Sequence, residues 1–446
     1  MSEGTLFELA PPEDRPPATP TRPEHVRVVR PNRQQLQWEP RDLDAALAED
    51  HPARAIWDFL EKLNLTEFYL GIKCVLDGPG RPATDPQVLL ALWLLATTEG
   101  IGSARQLARL CTEHDAYRWL CGGVPINYHM LADFRVEQQA ALDDLLSQII
   151  ASLMTAGAVT LKRVAQDGMR VRASAGAASF RRKDTLGACL QEARAQVERL
   201  AREREHPDAG VTRRQQAARE RGARERAARV EQALGYLPAA QATKEKQQHH
   251  YGKEQRARIG PARTSTTDPD ARVMKMADGG FRPAYNVQFA TDGAHGVIVG
   301  VAVTSAGTDA GQATPFVDQI ARRTGWQPDE YLMDGGFVAR DDITTLEARG
   351  ITVYAPVRLP RNKSPEERYL PRWGDSPEVG AWRQRMATDE AKAVYRQRGA
   401  IAEWTNAQVR QHGLSQFSVR GLANVTALTL LMAVAHNMMR WLSMST

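Results

Sequence analysis

The stretch Leu161-Lys-Arg-Val-Ala-Gln-Asp-Gly-Met-Arg-Val-Arg-Ala173 divides this chain of 446 residues into two kinds of sequence. Upstream of it the pattern is helical. Within it, Val164 and Ala165 run into Asp167-Gly168, and then Met169, Val171 and Ala173 alternate with Arg170 and Arg172. That alternation is the period of a half-buried strand. Asp and Gly are poor strand formers, so the pair predicts either a turn or an acid held at a strand end. The question for the rest of the chain is whether other acids join Asp167.

Residues 40–157 read as an all-helical domain. Ile56, Trp57, Leu60 and Leu63 recur at helical spacing. Asp85-Pro86 has the chemistry of an N-cap followed by a first-turn proline, and it opens an apolar run from Val88 to Leu95 that predicts a buried helix. Gly100-Ile-Gly102 ends that helix, Ser103 caps the next, and Thr112 is placed to cap a short one through Leu120. A third begins near Asn127–His129 and runs to about Met154. Short helices joined by tight turns resemble a helix-turn-helix unit, with Arg105, Arg109, Arg118 and Arg135 able to face phosphates; simple bundle packing is an equal alternative. Residues 1–39, rich in Pro, Arg and Glu, predict a disordered tail.

Downstream, residues 180–263 differ in composition. Leu186, Leu190, Ala193, Val197 and Leu200 form a helical stripe, and a second Arg/Ala/Glu-rich helix follows over 212–236, then a loose basic loop over 238–263. From Arg181 to Arg263 there are 20 Lys/Arg against 11 Asp/Glu, a net of +9, whereas the whole chain carries only +5. The insert is therefore a nucleic-acid candidate, a solvated charged hairpin being the alternative. β patterns resume with Ala284–Ala290, a Thr291-Asp-Gly293 turn, and Val297–Val303, whose continuous apolar run predicts a central strand. Helix and strand then alternate through Gln312–Arg323, Tyr331–Asp334, Asp341–Arg349 and Ile351–Ala355, and helices return after 379. The fold class is α/β, a mixed sheet with antiparallel and parallel parts.

Two acids share a context. Asp167-Gly168 follows Val-Ala-Gln, and Asp334-Gly-Gly336 follows Tyr-Leu-Met. Each reads as a carboxylate at the end of a short apolar strand, beside a glycine that lets a phosphate backbone approach. Paired hard oxygens suit Mg²⁺ or Mn²⁺. Glu403, at the edge of an apolar stripe with Arg396, Arg398 and Arg410 nearby, is the candidate third acid; a structural ion pair is its alternative. Asp268 and Asp270 flank a proline in Ser265–Arg272 and read as turn chemistry. His249-His250 lack partners at metal-ligand spacing. The four cysteines form no CxxC pair, no apolar signal region opens the chain, and Val425–Met439 is too short to cross a bilayer, which together suit a reducing cytoplasm.

In order, His51-Pro-Ala-Arg54, Gly100-Ile-Gly-Ser-Ala-Arg-Gln-Leu107, Trp119-Leu-Cys-Gly-Gly123, Asp133-Phe-Arg135, Asp167-Gly168, Ser265–Arg272, Tyr285-Asn-Val-Gln288, Asp334-Gly-Gly-Phe337, Tyr395…Arg398…Glu403 and Arg420-Gly-Leu422 resemble a bacterial insertion-sequence transposase of the DDE type, in the IS1182-like branch of the IS5/IS4 superfamily. The resemblance runs from about residue 40 to 442. It implies a ribonuclease H-like catalytic core over 158–179 and 264–442, with the helical domain and the insert attached. It places a metal-binding catalytic triad on Asp167, Asp334 and Glu403, with two Mg²⁺ or Mn²⁺ ions. Its signature around the third acid falls on Tyr395, Arg398, Glu403 and Arg410, with Arg410 where Lys is usual; Arg keeps phosphate contact but changes donor geometry. The implied partners are double-stranded DNA, as terminal inverted repeats and target, and a second copy of the chain, in a nucleoid-associated cytoplasmic setting with no membrane. A copy that binds DNA without cutting it, and a nuclease without strand joining, are the other readings.

Overall fold

The computed structural model describes residues 42–74, 82–204, 212–248, 260–359 and 364–445. The expected tail (1–39) and the His249-His250 pair lie outside them. Helix α1 (Pro52–Glu61) starts where His51 Nδ1 accepts from the Ala53 amide at 3.1 Å. A single turn, α2 (Thr66–Tyr69), precedes α3 (Pro86–Thr98), where Asp85 accepts from the Gln87 amide at 2.9 Å. Helix α3 is buried all round from Val88 to Thr97, as its uniform apolar sequence requires.

Ser103 caps α4 (Ala104–Glu113). The next cap is His114 and not Thr112, whose hydroxyl donates backward to the Arg109 carbonyl; α5 follows over Asp115–Cys121. Asn127 caps α6 (Tyr128–Glu137), and the single helix expected here breaks at Gln138 before α7 (Gln139–Thr155). Arg135 also departs from expectation. It is buried over the Trp93 ring at 4.5 Å and donates to the Gly102 carbonyl at 2.6 Å, so it ties the helices together and faces no phosphate. Burial lowers its pKa to about 10.

The main sheet comprises β1 (Arg163–Arg172), β4 (Arg272–Lys275), β5 (Phe281–Asp292), β6 (Ile298–Thr304), β7 (Glu330–Met333) and β8 (Thr352–Tyr354), while β2 (Phe180–Arg181) and β3 (Thr264–Ser265) pair separately. The order is β4-β5-β1-β7-β8, with β6 also on β5. Strand β1 is antiparallel to β5 and parallel to β7, and β7 is parallel to β8. Two expectations are corrected here. Asp167-Gly168 is neither a turn nor a strand end: it lies inside β1, paired with Phe289 and Gln288. Strand β6 is not central. Among the described residues it pairs with β5 alone, and its other edge is covered by side chains. Asn437 accepts from the Ile298 amide and donates to its carbonyl, and Gln319 does the same at Val301, all at 2.8–2.9 Å. Helices mimic a neighbouring strand, which is why the run looked central.

Between β2 and β3 lies an antiparallel pair, α8 (Lys183–Glu203) and α9 (Arg213–Gln248), with its own small core of Leu186, Val230, Ala233, Leu237 and Ala262. Helix α9 continues through Pro238 to Gln248, so the first part of the expected basic loop, 238–248, is helix, and 249–259 lie outside the described residues. Helices α10 (Ala313–Thr324) and α11 (Arg340–Ala348) make the crossovers flanking β7. Helices α12 (Pro377–Arg385), α13 (Asp389–Arg398) and α14 (Trp404–Gln411) lead to α15 (Leu422–Ser445). Helix α15 is long and apolar enough to cross a membrane, but 67% of that window is buried inside the protein, where it packs on α7 and β6.

His436 in α15 is buried, with Nε2 donating to the Gly296 carbonyl at 2.9 Å. Burial lowers its pKa from 6.5 to about 4. Above pH 6.5 the ring is neutral in both folded and unfolded chains, so it adds no pH dependence there. Below that, the unfolded chain takes up a proton that the folded one refuses, and stability falls. The expected loss by pH 4 is about 3 kcal/mol. Urea unfolding of His436→Gln across this range should show a shallower acid slope than the parent; an unchanged slope would remove His436 as the cause.

Candidate active site

The β1–β7 register ends at Gln166 opposite Met333. The next residues along the two chains are Asp167 and Asp334. Neighbouring strands lie about 4.8 Å apart, so the sheet itself brings the first two acids side by side. Asp167 Oδ1 accepts from the Gly168 amide at 2.9 Å. Asp334 accepts from the Gly336 amide within its own turn, and a Cβ on Gly336 would sit 2.9 Å from that carboxylate, so a larger residue there would displace it.

Glu403 arrives by a different device. Helices α13 and α14 are joined by a π-helical turn over Gly399–Glu403, and such turns re-aim the side chains that follow. Glu403 ends it, 62% exposed, and accepts from Arg398 Nη2 at 2.8 Å. Arg398 is only 14% exposed, and its Nη1 lies 3.7 Å from Asp167 Oδ1. One guanidinium thus stands between two of the acids. Asp334 reaches it at longer range through space. Burial works against the Arg398 charge, but Asp167, Tyr395, Glu403 and Asp334 together outweigh it and raise its pKa. Burial likewise pushes the Asp167 carboxyl up; Arg398 and the Gly168 amide pull it back, and Asp334 and Glu403 push it further up.

The other candidates fall in two places. Tyr395 is half-buried beside Arg398, with its pKa raised by burial. Arg410 is exposed further along α14. Arg105 and Arg109 lie on the exposed side of α4, one turn apart, and Arg105 stacks over Tyr128 at 5.1 Å. Among the described residues, neither of these two forms an ion pair with the three acids. Asp268 accepts from the Tyr285 hydroxyl at 2.7 Å and the Gly421 amide at 3.2 Å, a tie between strand and C-terminal segment.

Sequence reading missed two groups. Asn406 is buried and donates from Nδ2 to Asp167 Oδ2 at 3.0 Å, across 239 residues. Among the described residues its Oδ1 has no hydrogen-bond partner. The signal was available: Asn406 is one helical turn beyond Glu403 and so on its face. The second group lies against the Arg170 side of β1. Asp309 accepts from Asn286 at 2.5 Å, Gln288 at 3.3 Å and Arg170 at 3.1 Å. A Cβ on Gly168 would lie 3.2 Å from Asp309, so the glycine makes room for this network. Nothing in Ser305–Gln312 beyond turn chemistry marks Asp309.

Among the described residues no three carboxylate, imidazole or thiol groups stand at metal-ligand spacing. Arg398 lies between two of the acids, Asp167 and Glu403. Hard oxygen donors gathered round a positive charge fit a divalent ion, for which Arg398 is the stand-in. The unpartnered Asn406 Oδ1 adds an acceptor suited to a bound water.

Two family models match the chain. Residues 41–137 match one described as "Transposase domain (DUF772)", and residues 261–438 match one described as "Transposase DDE domain". The second contains Asp334 and Glu403, while Asp167 precedes it. No curated protein and no solved structure matches.

Proposed function

Because the chain belongs to the DDE transposases of insertion sequences, we propose that it binds the terminal inverted repeats of an IS1182-like element, hydrolyses the strand at each end and joins the freed 3′-OH to target DNA. Asp167, Asp334 and Glu403 are its catalytic residues and would hold two Mg²⁺ or Mn²⁺ ions. Such ions, when bound, activate the nucleophile and stabilise the leaving 3′ oxygen. The observation that carries the reading is that one guanidinium, that of Arg398, lies against both Asp167 of β1 and Glu403 of the π-helical turn, while the β1–β7 register brings Asp334 to the strand end next to Asp167. The strand order, with an antiparallel β1–β5–β6 part followed by parallel β7 and β8, supports a ribonuclease H-like core.

This chain's own residues do the rest. Asn406 orients Asp167, and the glycine at 336 lets the Asp334 turn close on itself. Arg398, Tyr395 and Arg410 then meet phosphates of the cut strand, where a guanidinium fork matches paired oxygens. Arg105 and Arg109 on α4 make sequence-independent contacts to the end DNA within a helical domain of 40–157, and 180–263 forms a basic insert in a core of 158–179 and 264–442. Work on paired ends calls for at least a dimer on DNA, in the bacterial cytoplasm at the nucleoid.

The test is incubation of full-length protein with labelled duplexes carrying the sequences that flank its gene, plus Mg²⁺ and a target plasmid. Cleaved and joined products are expected. Binding without cleavage would identify a DNA-binding protein instead, and cleavage without joining a nuclease.

A further inference from the structure

The helical insert meets the edge of the main sheet around a cavity of about 900 Å³. Arg182, Lys244, Arg263 and Arg272 all line it. Elsewhere on the same hairpin, arginines have carboxylate partners: Arg194 with Glu231 at 2.9 Å and Arg224 with Glu220 at 3.1 Å. None of the four cavity cations forms an ion pair among the described residues. Among the described residues Lys244 donates to the Gly260 and Pro261 carbonyls and Arg272 to those of Pro269 and Ala271, while the Arg272 guanidinium lies over Tyr236 at 5.6 Å. The Arg182 guanidinium lies about 3.1 Å from where a Cβ on Gly260 would be, so Arg182 and Lys244 bracket one residue.

Like charges gathered round one space repel each other. Lys244 registers this: burial lowers its pKa, and Arg263 and Arg182 lower it further. A cleft lined by one sign of charge concentrates counter-ions, so the arrangement suits an anion. The cavity also has a direction. Its wall includes Gly307 and Thr308, next to Asp309, and Arg170 of β1 donates to the Gly307 carbonyl at 3.3 Å. The cation cluster therefore opens beside the loop that backs the catalytic strand.

We propose that this cleft grips the sugar-phosphate backbone of the bound DNA, holding phosphates away from the one being cut and so fixing the end in register with the acids. The ligand is a phosphodiester strand read by charge and not by base sequence. The inference rests on DNA being the substrate, as proposed above.

The experiment compares full-length wild type with the triple variant Arg182→Gln/Lys244→Gln/Arg263→Gln and a control, Arg194→Gln/Arg224→Gln. Fluorescence polarisation is read with a labelled duplex of the gene-flanking DNA and a scrambled duplex, across a salt series. The triple variant should bind both duplexes roughly tenfold to a hundredfold more weakly, and its slope of log affinity against log salt should be shallower by about 2 to 3. The control should match wild type. Without DNA the triple variant should melt at the same temperature as wild type or higher, because repulsion has been removed. A lower melting temperature would make the cations structural and overturn the proposal. So would a folded triple variant with wild-type affinity and salt slope, as expected if the cleft receives an acidic protein segment. Failure of the wild type itself to bind either duplex would instead defeat the functional reading on which this one stands.

Discussion

Asp167→Asn, Asp334→Asn and Glu403→Gln are each expected to lower DNA cleavage by roughly a thousandfold or more while leaving affinity for end DNA within a few-fold of wild type. The substitutions keep shape and remove charge. What they take away is hard, anionic oxygen at the point where three chain segments meet. The remaining amide is a poor ligand for Mg²⁺, so the loss is in chemistry and not in docking. Affinity survives because the arginines that meet phosphate are untouched. The three should not behave alike in the absence of DNA. Asp167 is 17% exposed and in contact with both Asn406 and Arg398, whereas Glu403 is 62% exposed and touches only Arg398 among these groups. Melting temperature should therefore shift more in Asp167→Asn than in Glu403→Gln. Gel assays of cleavage, polarisation of labelled DNA and Mn²⁺ titration by electron paramagnetic resonance read the three quantities separately. Full cleavage by any one variant would remove that residue from the triad.

What the sequence made legible follows from how local each signal is. Asp85-Pro86, Ser103 and Asn127 carry their caps in the side chain itself, and the α3 run can only be a buried helix. The alternation in β1 is equally local. Thr112 misled because its hydroxyl satisfied a carbonyl behind it, leaving His114 to cap. Strand β6 misled because burial and sheet position are different things: an edge covered by Asn437 and Gln319 is as dry as a centre. Arg135 misled because an arginine on a short helix resembles a phosphate contact until a tryptophan ring from another helix covers it. At the site, the acids stand out as residue types after short apolar runs. Two of the partners that shape them do not, because Asn406 reaches Asp167 across 239 residues and Asp309 reaches Arg170 across 139. A π-helical turn also has no sequence signature, so the aim of Glu403 could be read only from the fold.

The position of Arg398 leads to a result that no triad substitution gives: Arg398→Gln should bind Mn²⁺ more tightly than wild type and yet cleave DNA more slowly. In the free protein its guanidinium lies 2.8 Å from Glu403 and 3.7 Å from Asp167, where it neutralises the carboxylates a divalent ion needs. Two unit charges at such distances interact by about 4–6 kcal/mol at an effective dielectric of 20. Solvent at the exposed Glu403 screens much of this, leaving about 1–2 kcal/mol and an expected gain in Mn²⁺ affinity of roughly tenfold. Cleavage should fall roughly tenfold to a hundredfold because the phosphate fork is lost. Arg398→Lys separates the two effects: the charge remains, so Mn²⁺ affinity should stay near wild type, while the lost fork still slows cleavage. The same geometry couples DNA to metal. A phosphate that draws Arg398 away uncovers the acids, so end DNA should raise Mn²⁺ affinity in wild type and do so much less in Arg398→Gln. By reciprocity, Mn²⁺ should tighten DNA binding by the same factor. Titrating Mn²⁺ with and without duplex in the three proteins measures every term. If Arg398→Gln binds Mn²⁺ no more tightly than wild type, its guanidinium is not a competitor for the ion, and cation occupancy between the acids has no bearing on when the enzyme becomes competent to cut.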